Sequence, residues 1–140
     1  MWFPSEFVGF YRGVVNCHHG GAIVKAAPTF KPQLVTSKMR LERLLARLPA
    51  AVAWRARHGY IVELGAASVQ FLSADAESNV VGGTANLLLE IDEAQDVSEQ
   101  KYLRDFRHMA ATSNATTVLY GTAWSQDAPP RQPACRQPSR

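Results

Sequence analysis

The chain has 140 residues, a formal net charge of +3 and an apolar fraction of 46%. That size and composition suit one globular domain with its own core, and they argue against a wholly disordered chain. Two cysteines near opposite ends, Cys17 and Cys135, do not make a disulfide framework, so a reducing cytoplasm is the expected compartment. No apolar run approaches membrane-spanning length, and the start Met1-Trp2-Phe3-Pro4 has no basic segment of the signal-peptide kind. Charge is unevenly spread along the chain. Between Lys31 and Arg57 stand Lys38, Arg40, Arg43, Arg47 and Arg55 against the single acid Glu42, whereas Glu63 to Glu99 carries only acids. The first segment suits a polyanion and the second a cation such as Mg²⁺.

Residues 1–19 are aromatic-rich and show no clear period. After Gly20-Gly21, the run Ala22-Ile23-Val24-Lys25-Ala26-Ala27 reads as a short buried strand closed by Pro28. Pro32 suits the first turn of a helix. Leu34, Met39, Leu41, Leu44, Leu45 and Leu48 follow at near-helical spacing, and Pro49 stops that helix. Arg40, Arg43 and Arg47 recur at i, i+3 and i+7 on another face. Such a stripe reads as a solvated face or as a contact to a phosphate backbone. Tyr60 to Leu64 and Ser68 to Leu72 read as two strands about a turn at Gly65, and residues 79–83 as a loop.

The run Leu87-Leu88-Leu89-Glu90-Ile91 is long enough for one buried strand, and it ends abruptly at Asp92 and Glu93. Two adjacent carboxylates are costly to bury, so they are expected at an open strand end. This is the pattern of a Walker B strand. In it the first acid, Asp92, holds a hydrated Mg²⁺ and the second, Glu93, orients and deprotonates the water that attacks a γ-phosphate. The plainer reading is an acidic strand-to-helix loop, since acids near a helix start are favoured by its dipole. Nowhere does the chain contain a G-x-x-x-x-G-K-[ST] phosphate loop.

Asp96-Val97-Ser98-Glu99 has the form of a capping box, and the helix after it is expected to bury Tyr102, Leu103, Phe106 and Met109 or Ala110. Thr116 to Tyr120 reads as a strand ending at Gly121-Thr122, where a plain turn is the alternative to a functional motif. Beyond Asp127 the composition collapses to a Pro/Arg tail with no apolar pattern, expected to be disordered. Cys17-His18-His19 lacks a fourth zinc ligand at sensible spacing and reads as a loop.

The stretches Ala26-Ala27-Pro28-Thr29-Phe30-Lys31-Pro32-Gln33, Leu87 to Gln95, and Thr117-Val118-Leu119-Tyr120-Gly121-Thr122 occur in this order. Together they resemble the large terminase subunit of tailed phages, the motor ATPase that pumps DNA into capsids. The resemblance implies an α/β P-loop NTPase fold of the RecA/ASCE-like kind, a parallel sheet flanked by helices but incomplete for want of the phosphate-loop segment. It divides the chain into a poorly patterned segment 1–19, a partial ATPase domain over 20–127 and a tail over 128–140. It implies roles residue by residue: Asp92 as the Mg²⁺-coordinating acid, Glu93 as the catalytic acid, Gln95 as the sensor of nucleotide state, and Gly121 and Thr122 as the motif coupling hydrolysis to DNA movement. Its implied cofactors are Mg²⁺ and ATP. Its implied partners are double-stranded DNA, here assigned to Arg40, Arg43 and Arg47, the small terminase subunit and the portal protein, with self-assembly left open and no membrane involved. Without a phosphate loop or the family's nuclease domain, both ends read as those of a shortened gene, and the isolated chain is expected to be a poor ATPase. A fragment of a helicase-like DNA-dependent ATPase, or a non-enzymatic prophage remnant that binds DNA, are the rival readings.

Overall fold

Six strands form one sheet among the residues described by the structure, a computed structural model covering 4–80 and 83–122. In chain order they are β1 (Gly21–Ala27), β2 (Trp54–Arg57), β3 (Ile61–Leu64), β4 (Ala67–Ser73), β5 (Leu88–Ile91) and β6 (Thr116–Leu119). In space the order is β2-β3-β4-β1-β5-β6. The four strands β4, β1, β5 and β6 run parallel, and β3 and β2 fold back as antiparallel hairpins at one side. The carboxyl ends of the parallel strands therefore all open on one edge of the sheet.

The burial of each strand follows its sequence. β1 is buried over its last five residues and β5 over all four, as expected where helices cover both faces of a parallel sheet. Alternate residues of β1 feed opposite cores. Ile23 and Ala27 join Leu34, Leu41, Leu45, Val69, Phe71 and Leu88 on one face, beneath α1 (Pro4–Val15) and α2 (Val35–Leu45). Val24 and Ala26 join Leu89, Ile91, Phe106, Met109 and Ala110 on the other. That second face is covered by α3 (Glu99–Lys101) and α4 (Arg107–Ala111), which run together through a π-helical turn over Tyr102–Phe106. Phe106 is fully buried, a contribution of roughly 2 to 3 kcal/mol from one side chain.

Several local expectations change. The unpatterned segment 1–19 contains α1, whose packing against α2, β4 and β5 supplies the order its sequence period does not. β2 is a further strand with no legible signal, because its residues Arg55, Ala56 and Arg57 are exposed on the sheet's outer side. Pro32 does not open a regular helix: Lys31 is extended (φ −113°, ψ 130°), and α2 begins at Val35 after a wide turn over Phe30–Leu34. Helix α2 ends at Leu45, ahead of Pro49. The second helical region starts two residues later than its capping box suggests. Ser98 is the N-cap, its Oγ accepting from the Lys101 amide at 3.2 Å, while Asp96 belongs to a preceding 3₁₀ turn. Leu103 is exposed rather than buried, because the π turn rotates it off the core face. The Pro/Arg tail lies outside the described residues.

Candidate functional site

Asp92 and Glu93 emerge at the carboxyl edge, between the ends of β1 and β6. The Asp92 amide donates to Ala26 O at 2.8 Å, carrying the β1–β5 ladder one residue further. Glu93 then adopts a left-handed backbone, φ 49° and ψ 46°. A glutamate rarely takes this conformation, which costs of order 1 to 3 kcal/mol. The turn holds it there. Asp92 Oδ1 accepts from the Glu93 amide at 3.2 Å, the Glu93 carbonyl accepts from the Asp96 amide at 2.9 Å, and the Ala94 amide donates to Tyr120 O at 2.8 Å. Both acids are half-buried.

Gln95 joins this turn to β6. Its side-chain amide donates to Glu93 Oε2, and its side-chain oxygen lies so close to Gly121 that a Cβ there would collide with it. Gly121 thus permits a close approach that any larger residue would block. Thr122 is the next residue along, exposed at the same edge. The structure therefore brings Asp92, Glu93, Gln95 and Gly121 together, with Thr122 adjoining them.

Arg40, Arg43 and Arg47 are not part of that cluster. Arg40 and Arg43 lie on α2, whereas Arg47 falls in the turn beyond its end at Leu45, so the three do not form one helical stripe. Arg43 and Arg47 are exposed and Arg40 is half-buried. Cys17 is buried whereas His18 and His19 are exposed, so the three residues do not converge.

Behind the acids lies a polar pair absent from the sequence-derived site. Glu90, two residues before Asp92 on β5, is 1% exposed. It accepts at Oε1 from the Tyr120 hydroxyl at 3.2 Å. Burial, and then the negative charges of Glu90 and Asp92, push the Tyr120 hydroxyl well above the ordinary phenol range, so it stays a donor. The Tyr120 amide also donates to Ile91 O at 2.8 Å, tying β6 to β5 by backbone and side chain. An acid inside an otherwise apolar strand was the one signal in the sequence that pointed to this pair.

The donor set suits a hydrated Mg²⁺. That ion takes one or two carboxylates and fills its remaining positions with water and phosphate oxygens. Among the described residues no cluster of three or more His, Cys, Asp or Glu side chains forms a protein cage for a metal.

No family model matches the sequence. No curated protein matches it either. Solved structures do. The large terminase ATPase domain of Thermus phage P74-26 superposes with a TM-score of 0.62 at 16% identity, over 84% of this chain and 55% of that one, and a variant of the same domain gives the same figures. The large terminase of the thermophilic bacteriophage D6E superposes with a TM-score of 0.54 at 13% identity, over 73% of this chain and 26% of that one. The chain thus spans about half the length of the first of these domains. Its fold is similar to that of about half of a phage large-terminase ATPase domain, a mainly parallel six-stranded α/β sheet flanked by helices.

Proposed function

We propose that this chain carries the metal-and-base half of an ATP site of the phage or prophage large-terminase kind, the ATP-driven motor of DNA packaging. The observation that carries the reading is Glu93, held in a left-handed turn at the carboxyl edge of a parallel sheet and bound there by Gln95. Open α/β sheets bind their ligands at that edge. A strained backbone at an acidic side chain is also a mark of a functional turn.

In this reading Asp92 holds Mg²⁺ directly or through water, and the ion would offset charge on the β- and γ-phosphates. Glu93 orients the attacking water and takes its proton. Gln95 fixes the Glu93 carboxylate and, through its contact with Gly121, links the base to Gly121-Thr122, the segment assigned to coupling. Double-stranded DNA is the macromolecular partner, with the exposed Arg43 and Arg47 and the half-buried Arg40 as its phosphate contacts. With no lysine-bearing phosphate loop in the chain, most of the triphosphate charge goes uncompensated and turnover by the isolated protein is weak. Among the described residues no helix is long and apolar enough to cross a membrane.

A thermal melt with and without Mg²⁺-ATP tests the reading. Ligand at about ten times its Kd stabilises the folded state by about 1.4 kcal/mol. That corresponds to a rise of roughly 3 to 6 °C for a chain of this size. The expected result is a rise that needs Mg²⁺ and vanishes in Asp92→Ala. A cooperative melt that is unmoved by millimolar Mg²⁺-ATP would rule out a nucleotide site in this chain.

A further inference from the structure

The β2–β3 hairpin and the loop after β1 build a second feature of the carboxyl edge, away from the acids. The hairpin reads Trp54-Arg55-Ala56-Arg57-His58-Gly59-Tyr60, basic and aromatic residues interleaved. Its three-residue loop, His58-Gly59-Tyr60 between the paired Arg57 and Ile61, has positive φ at both His58 (50°) and Gly59 (74°). Arg55 and Arg57 share one side of β2 and both bind Glu63 on β3, with Arg57 Nη1 at 2.7 Å from Oε1. Two guanidiniums on one carboxylate leave a net positive charge, and their side chains are 70% and 51% exposed. Glu63 is held below the usual carboxylate range by these two arginines, so it stays ionised and keeps both in place.

At the tip, the rings of His58 and Tyr60 lie 6.4 Å apart. Tyr60 is 39% exposed, and Phe30 across the edge is 37% exposed. Phe30 is also held. Thr29 donates to Gln33 Oε1 from its amide at 3.1 Å and from its hydroxyl at 2.9 Å, closing the loop around it. Phe30 and Tyr60 line one cavity of about 370 Å³, whose lining also includes Gln70 and Asn79.

We infer that this cavity takes an unpaired base of single-stranded DNA, with Arg55 and Arg57 contacting the adjoining phosphates. Aromatic side chains accept bases whose faces are open, and a duplex keeps its faces stacked. The Gln70 and Asn79 amides each offer donors and an acceptor, which suits the hydrogen-bonding edge of a base. The positive charge of the hairpin complements a strand rather than an apolar peptide. This site is distinct from the acid turn and does not depend on the ATPase reading.

Fluorescence anisotropy of labelled dT12 with the full chain, at low salt and without Mg²⁺ or ATP, tests it separately from the melt described above. The expected result is saturable binding that Tyr60→Ala and Phe30→Ala each weaken at least fivefold, about the loss of one stacked base, and that Tyr60→Phe retains. Arg55→Ala with Arg57→Ala weakens binding and flattens its salt dependence. Cooperative melts of each variant check that the fold persists, and Phe30→Ala lies in an exposed loop where truncation costs little. Failure of the unaltered chain to bind dT12 overturns the proposal. So does wild-type affinity in both aromatic variants. Equal affinity for a duplex of the same length would mean phosphate contact alone. Displacement of dT12 by AMP at matching base concentration would assign the cavity to a free nucleotide instead.

Discussion

Gln95 donates its side-chain amide to Glu93 Oε2, two residues back in the same turn, while its oxygen presses on Gly121 of the neighbouring strand end. One side chain therefore spans the acid turn and the segment after β6. Gly121→Ala places a methyl where the Gln95 oxygen lies, and the exposed, flexible amide must swing away. The expected cost is about 0.5 to 1 kcal/mol, and it disappears when Gln95→Ala is already present. Urea denaturation of the two single variants and the double variant measures this coupling; strict additivity would mean the two residues do not meet.

The left-handed backbone of Glu93 makes an opposite prediction for stability. Glu93→Gly and Glu93→Ala both remove the carboxylate, but only glycine takes this conformation without strain. Glu93→Gly should be more stable than Glu93→Ala by about 1 kcal/mol. Equal urea midpoints for the two variants would show that the turn is not held left-handed in solution.

Asp105 is expected to make the fold sensitive to acid. Arg104 first, and then Lys101, lower its pKa from the usual aspartate range to about 2. A depressed folded pKa means that the stabilisation is present in full above the unfolded value and is lost as pH falls through about 2. Stability should therefore drop between about pH 4 and pH 2. Asp105→Asn should flatten that drop. It should also cost about 1 to 3 kcal/mol at neutral pH, because Lys101, 2% exposed, loses its carboxylate partner at 2.8 Å and keeps only its hydrogen bond to the Ser78 carbonyl among the described residues. Melts across this pH range check both parts.

Tyr120→Phe removes the hydroxyl that donates to buried Glu90. The expected loss is about 1 to 3 kcal/mol, more than an exposed tyrosine would give, because a carboxylate in the core loses a donor. If the melting temperature of Tyr120→Phe matches that of the parent, the hydroxyl does not hold Glu90.

The sequence made the acid turn legible because both of its signals are local. An apolar run of strand length followed by two acids can only sensibly end at an open edge, and the structure places Asp92 and Glu93 there. The mostly parallel character of the sheet was legible from the alternation of strands and helices along the chain. α1 and β2 were not. The first carries glycines and aromatics without a helical period, and the second lies on an outer edge where burial imposes no pattern. Their places are set by what they pack against.

By itself the sequence determined which residues could do chemistry at the end of β5, and that no lysine-bearing phosphate loop accompanies them. Only the tertiary structure decided that Glu93 is left-handed, that Gln95 reaches both Glu93 and Gly121, that Tyr120 binds Glu90 across two strands, and that Phe30 and Tyr60 share a cavity. Each of these depends on pairing between strands far apart in the chain. Local propensity cannot encode such pairing; it follows from burying two apolar cores on opposite faces of one sheet.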